Sequence, residues 1–241
     1  MDFRGKTALV TGAGQGIGYS VARKLASLGA KVYALSKNES HLAKLVDEEK
    51  SIHPVCCDLT DWDSTKLKVA GIGQIDLLVN NAGVGKLEPF LIASSDAFDW
   101  IFNVNVKAVM NVSQVVASGM VERKHGAIVN VSSQASQAAL KEHAIYCASK
   151  AALDSMTRVM ALELGPHNIR VNTVNPTVVL TELGRSAWAD PQKGGEMKAK
   201  IPLGRFAEVD DVVNAIVFLL SDNAAMITGT CLPVDGGYLA C

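Results

Sequence analysis

The 241-residue chain is 49% hydrophobic and 20% charged, with a formal net charge of -1. That composition supplies a large core and excludes disorder, and the balanced charge excludes nucleic acid and an anionic membrane surface as partners, since both need an excess or patch of Lys and Arg. The expectation is a single α/β domain over residues 1–241 that acts on a small molecule in the cytoplasm, because the chain passes from Met1 directly into an apolar run with no signal-like or membrane-length segment.

Thr7 to Thr11 reads as a first strand, followed at once by Gly12-Ala13-Gly14-Gln15-Gly16-Ile17-Gly18 and a helical pattern through Val21, Leu25 and Leu28. Strand, glycine turn and helix is the order that lets backbone approach a pyrophosphate and hold it on the amides of a helix N-terminus. A flexible glycine loop is the alternative, but the position between strand and helix favours phosphate. Lys31 to Ser36 is the second strand. A carboxylate at the end of that strand would bind a free ribose diol, whereas here the chain reads Ser36-Lys37-Asn38, a cation without an acid, which favours NADP over NAD. Lys37 also has the reading of an ordinary solvated lysine.

A polar helix is predicted over about Glu39 to Lys50 and a third strand over His53 to Cys57, ending in Asp58-Leu59-Thr60. Asp58 reads either as a contact to an adenine edge or as a cap of the helix beginning near Asp61. Ile75 to Val79 is a fourth strand running into Asn80-Asn81-Ala82-Gly83, a loop at the carboxyl end of a strand, where ligands of open α/β sheets bind. Successive βα units indicate a doubly wound parallel sheet. From about Ser95 to Val121 a long helix carries a valine stripe too broad for one wet face, which suggests burial in a subunit interface. Asn105 within it reads as an incidental polar residue or as a bend whose freed carbonyl serves a site.

Gly126 to Ser133 is the fifth strand, and the helix after it carries Tyr146-Cys147-Ala148-Ser149-Lys150. Residues four apart share a helix face, so the Tyr146 phenol and the Lys150 ammonium point into one space, and the cation is expected to lower the phenol pKa. Ser133, 13 residues earlier, can donate a hydrogen bond to the same carbonyl oxygen that the phenol protonates. No Gly-x-Ser-x-Gly elbow surrounds it as a nucleophile, and the five histidines form no metal-site pattern. Ile169 to Val174 is the sixth strand, ending in Asn175-Pro176-Thr177. Residues 178–200 read as a mobile lid broken by Gly184, Asp190-Pro191 and Gly194-Gly195, with Trp188 as an apolar wall over the substrate. A helix over Val209 to Leu220 and a strand over Cys231 to Val234 complete the sheet. Cys56, Cys57, Cys147 and Cys231 read as reduced and mostly buried, and Cys241 as packed or as an exposed thiol.

Taken together, Thr11-Gly12-x3-Gly16-x-Gly18, Asn80-Asn81-Ala82-Gly83, Asn105, Ser133, Tyr146-x3-Lys150 and Asn175-Pro176 resemble the short-chain dehydrogenase/reductase family in order and spacing. The resemblance implies a Rossmann sheet of seven parallel strands and a catalytic set of Ser133, Tyr146, Lys150 and Asn105. In that set Tyr146 protonates the oxygen polarised by Ser133 during hydride transfer, Lys150 lowers the phenol pKa and binds the nicotinamide ribose, and Asn105 holds a water. It further implies a nucleotide-binding half over about 1–95, formed with Gly12, Gln15, Gly16, Ile17, Gly18, Ser36, Lys37, Asp58, Leu59, Asn81, Ala82 and Gly83. Pro176, Val178, Val179 and Thr181 contribute from the half over about 96–241. Within the family the chain is similar to NADP-dependent homotetrameric reductases of L-xylulose and small α-dicarbonyls such as diacetyl, with Gln134, His143 and Trp188 matching their substrate pocket. Gln15 stands where a basic residue usually assists the 2′-phosphate. The alternatives are a reductase of 3-oxoacyl thioesters or bulky ketones, and a non-catalytic nucleotide-binding subunit.

Overall fold

The computed structural model describes residues 1–241. Seven strands, β1 (Thr7–Thr11), β2 (Lys31–Ser36), β3 (Ile52–Cys56), β4 (Leu77–Asn80), β5 (Gly126–Val131), β6 (Ile169–Pro176) and β7 (Cys231–Val234), form one parallel sheet in the order β3-β2-β1-β4-β5-β6-β7. The chain turns back between β3 and β4, so the direction of winding reverses beside β1. A crevice opens there at the carboxyl ends of β1 and β4, the general binding place of such sheets. The helices are α1 (Gly16–Ser27), α2 (Glu39–Glu48), α3 (Trp62–Ala70), α4 (Ser95–Phe102), α5 (Ala108–Arg123), α6 (Ala144–Leu164), α7 (Glu182–Ala187), α8 (Pro191–Lys198) and α9 (Val209–Leu220).

Alternation along the central strands feeds two cores. In β1, Ala8 and Val10 face the layer of α1 and α9 with Val21, Leu25, Val213 and Ile216, while Leu9 faces the opposite layer with Val112, Val116, Met120 and Ile128. Each fully buried aliphatic side chain contributes about 1.5–3 kcal/mol relative to exposure, so sheet and helices hold one another in place. No helix is long and apolar enough to cross a membrane.

Several expectations shift. β3 spans Ile52–Cys56 and β4 Leu77–Asn80, each displaced by one or two residues, and β5 stops at Val131, which leaves Ser133 two residues beyond the ladder. β6 runs on through Asn175 and Pro176 because both pair with β7. α2 ends at Glu48 instead of Lys50. The single helix expected over 95–121 is interrupted by a π-helical turn at Asn103–Lys107, so the bend reading of Asn105 is the one the backbone adopts. Its valine stripe is largely consumed inside the chain, with Val109, Val112 and Val116 buried. The 178–200 segment is helical. Thr181 Oγ1 accepts from Gly184 N at 3.0 Å to cap α7, and Asp190 Oδ1 accepts from Lys193 N at 2.7 Å to cap α8, where Pro191 occupies the first turn. Gly184 is there for space, since a Cβ would collide with the Val179 carbonyl. Asp58 does not cap α3, because Asp61 does, through Ser64 N. Asp58 instead accepts from the amide and hydroxyl of Thr60. Cys57 is buried and Cys147 and Cys231 half-buried, but Cys56 and Cys241 are exposed, so neither serves as packing.

Candidate active site

The glycine turn and the loop after β4 are built against each other. Gly12 and Gly16 adopt φ of +64° and +59°, in the left-handed region that glycine enters without strain. A Cβ on Gly12 would lie 2.8 Å from Ala82 Cα, and one on Gly18 2.5 Å from the Gly12 carbonyl oxygen and inside contact distance of Asn81 Nδ2. Asn81 Nδ2 donates to the carbonyls of Thr11 (3.0 Å) and Gly12 (3.2 Å), and the amides of Asn81 and Ala82 donate to Thr11 Oγ1 (3.0 and 3.1 Å). The Asn81 amide group is therefore spent on joining two loops. Thr11 had no sequence signal beyond its place before Gly12.

The α1 N-terminus faces this cradle without a side-chain cap, since Gln15 makes none, and without an acid in its first turn. Free amides, the positive end of a helix dipole and a surface with no Cβ fit a pyrophosphate. Ile17 is half-buried beside it, and Thr181 packs on the turn, its Cγ2 3.2 Å from where a Cβ on Gly16 would sit. At the end of β2, Ser36 Oγ and His41 Cβ border Gly14, while Lys37 is exposed. His41, in the first turn of α2, is a neighbour with no signal of its own in the sequence. Leu59 is half-buried. Lys37 is near enough to Asp58 to help hold its carboxyl below the usual range, after the larger effect of the Thr60 hydrogen bonds. Pro176 is buried, and Val178 and Val179 are half-buried, where the end of β6 enters the lid.

Across the crevice, α6 presents Tyr146 and Lys150. Lys150 is 4% exposed, and its Nζ donates to the Val131 carbonyl at 2.8 Å and lies 5.7 Å from the Tyr146 ring centroid. Burial pushes its ammonium down to about 8, against the pull of Asp154. Ser133 is buried and its hydroxyl is close enough to the half-buried Tyr146 to act on the phenol; its Oγ accepts from Ala135 N at 3.1 Å. The expected lowering of the phenol by Lys150 is not found. Loss of solvent raises the Tyr146 pKa, the Ser133 hydrogen bond opposes that, and Cys147 adds to the rise. The reason is geometric: the ammonium is bonded to a main-chain carbonyl and only skirts the ring. A phenol that keeps its proton is suited to give one to a forming alkoxide.

Asn105 is fully buried and joins three segments. Its Oδ1 accepts from Val84 N at 2.8 Å, and its Nδ2 donates to the Val84 carbonyl at 2.9 Å and to Ser149 Oγ at 3.1 Å. Ser149 Oγ donates in turn to the Tyr146 carbonyl at 2.7 Å. The π-turn, the loop after β4 and α6 are thus clamped, and that loop passes the site closely. A Cβ on Gly83 would lie 3.5 Å from both Asn105 Oδ1 and Lys150 Nζ, and one on Gly85 3.3 Å from the Tyr146 ring.

Of the three residues expected at the substrate, two adjoin this centre. Gln134 is 2% exposed, and its Oε1 has no hydrogen-bond partner in the chain. The His143 ring lies 6.2 Å edge-on from Tyr146, and its Nδ1 is 2.6 Å from the Lys141 carbonyl. A carbonyl only accepts, so Nδ1 donates there, and Nε2 has no partner within the chain. Trp188 packs on Phe206, with ring centroids 5.9 Å apart, in a small cluster with Met197 and Ile201.

A family model described as "Enoyl-(Acyl carrier protein) reductase" matches residues 12–239. The chain is 58% identical to a D-erythrulose reductase of Gallus gallus over 99% of its length and 98% of the relative. It is 55% identical to an L-xylulose reductase of Bos taurus over the whole of both chains, and 49% identical to "Carbonyl reductase [NADPH] 2" of Sus scrofa over 100% of this chain and 99% of that one. A solved structure described as an NAD(P)-dependent gluconate 5-dehydrogenase from Beutenbergia cavernae with bound NADP superposes with a TM-score of 0.94 at 34% identity, covering 100% of this chain and 99% of that one. The chain belongs to the short-chain dehydrogenase/reductase family of oxidoreductases.

Proposed function

We propose that the protein is a cytoplasmic, NADPH-dependent carbonyl reductase that reduces L-xylulose to xylitol and small α-dicarbonyls such as diacetyl. The observation that carries this reading is the meeting of Ser133, Tyr146 and Lys150 beside the glycine cradle, clamped by Asn105. The names of the sugar-ketone and carbonyl reductases most like it support the substrate class.

NADPH when bound supplies the hydride. Gly12, Gly16 and Gly18 with the first amides of α1 hold its pyrophosphate, and Ser36 and Lys37 face the 2′-phosphate, with Asp58 and Leu59 near the base. Asn81 to Gly83 and the segment from Pro176 through Val178 and Val179 to Thr181 border the nicotinamide end. Ser133 donates a hydrogen bond to the substrate carbonyl, which increases the charge its oxygen gains, and Tyr146 delivers the proton to that oxygen. Lys150 supplies positive charge beside the developing alkoxide and a donor for a ribose hydroxyl. The Asn105 side chain is spent on its clamp, so the role left to it is to hold, through its main-chain carbonyl in the π-turn, the water that renews the proton through Lys150. The unpartnered Gln134 Oε1 and His143 Nε2 accept from sugar hydroxyls, a pairing worth about 1–3 kcal/mol where a buried acceptor is otherwise unmet. Trp188, packed on Phe206 within the lid, supplies an apolar wall over the substrate.

The five free cysteines suit a reducing compartment. A homotetramer is proposed from the apolar residues left exposed on α6, Val159 at 50% and Leu162 at 78%.

The description of the matching family model favours a thioester substrate as the second reading. NADPH absorbance followed with L-xylulose, diacetyl and an acetoacetyl thioester separates the two. Turnover of the first two is expected, and turnover of the thioester alone would sink the sugar reading.

A further inference from the structure

A carboxylate lies behind the site with no part in the chemistry so far described. Asp154, one turn beyond Lys150 on α6, is 4% exposed. Its Oδ2 accepts from Asn175 Nδ2 at 2.9 Å, and its Oδ1 has no partner in the chain. The same Asn175 nitrogen lies 2.9 Å from Ser136 Oγ and 3.2 Å from the Ser133 carbonyl, so its two hydrogens are shared among three acceptors, while Asn175 Oδ1 accepts from Thr173 Oγ1 at 2.6 Å. Asn175 is therefore fixed on four sides and is the only link between the carboxylate and the segment that carries Ser133.

A buried carboxylate with an unmet oxygen is costly, and chains keep one where a buried cation needs it. Lys150, four residues earlier on the same face, is that cation. The elements packed around it offer no other buried counter-charge. β5, the end of β6 and residues 81–85 carry no charged residue, α6 adds Tyr146 and Cys147 with Arg158 and Glu163 exposed farther along, and α4 adds Asp96 and Asp99, both exposed. The π-turn contributes Lys107, which is exposed and lies over the Trp62 ring. Asp154 is also the single charge that opposes the downward push of burial on the ammonium.

We propose that Asp154 is a positioning residue for carbonyl reduction: its charge keeps Lys150 an ammonium inside the site, and its bond to Asn175 fixes the main chain from which Ser133 projects. Tyr146 and Lys150 must carry the proton for this to hold, as in the function proposed above, so Tyr146→Phe is the control.

The test is the pH profile of kcat for NADPH reduction of diacetyl and L-xylulose by the full chain, in wild type, Asp154→Asn, Asn175→Ser and Tyr146→Phe. Asp154→Asn removes the charge and keeps the shape, and the alkaline limb should move down by about half a pH unit or more. Asn175→Ser leaves the charge and frees the Ser133 segment, so kcat should fall about tenfold with the limb in place. An Asp154→Asn limb that coincides with wild type overturns the charge role, and a wild-type kcat in Asn175→Ser overturns the positioning role. If circular dichroism shows that Asp154→Asn does not fold, Asn175→Ser decides alone. A Tyr146→Phe protein with full turnover removes the underlying reading and the proposal together. An inactive Tyr146→Phe with an unmoved Asp154→Asn limb removes the proposal only.

Discussion

In the proposed NADPH site, Lys37 is the charge that would distinguish the two cofactors. It is exposed at the end of β2, beside Ser36, with no acid in that turn. A phosphate paired with an exposed lysine gains on the order of 1 kcal/mol, about fivefold in affinity. Lys37→Ala is thus expected to raise KM for NADPH about 5- to 10-fold and to leave KM for NADH unchanged, as measured by initial rates; equal effects on both would make it an ordinary surface lysine. Most of the site was legible at this scale because backbone chemistry restricts the choice of residue. Glycines at Gly12, Gly16 and Gly18 are needed where a Cβ would strike the neighbouring loop or demand positive φ. The part not legible depends on distances between segments. Nothing in Asn81 says that its amide is consumed by Thr11 and Gly12, and nothing in Lys150 says that it bonds a strand carbonyl while the phenol it was expected to acidify rises.

Elements set the geometry that single residues exploit. The π-turn between α4 and α5 exists where Asn105 ties Val84 and Ser149 together, three hydrogen bonds in a fully buried position. Asn105→Ala strands the Val84 amide and carbonyl without partners. It should cost about 2–4 kcal/mol in urea unfolding and lower kcat as the loop over Tyr146 loosens. Wild-type stability in that variant would show that the clamp is replaceable. The sequence marks the polar interruption of an apolar helix but does not choose between an incidental residue and a bend, since both have the same composition. The lid gives the opposite lesson. Its glycines and Asp190-Pro191 suggest breaks, yet Thr181 and Asp190 act as caps and Gly184 fits against a carbonyl, so the same residues bound two short helices. Composition identifies punctuation in a chain; packing decides whether it ends a helix or begins one.

The whole molecule follows from strand order. The reversal of winding beside β1 brings the glycine turn, the loop after β4 and the N-terminal part of α6 to one crevice, a consequence of successive βα units that the sequence makes plain. Val159 and Leu162 are exposed on α6. In the proposed homotetramer α6 pairs between copies, so Leu162→Glu should convert the tetramer to smaller species in light scattering coupled to size exclusion, since a buried unpaired charge costs several kcal/mol; an unchanged mass would place the interface elsewhere. The central claim is that the Tyr146 phenol delivers the proton beside a bound dinucleotide. Its most direct test is Tyr146→Phe, with NADPH binding and diacetyl turnover measured on one preparation. Binding should stay within about twofold of wild type while kcat falls by about 10²- to 10⁴-fold, and retention of most turnover would contradict the account.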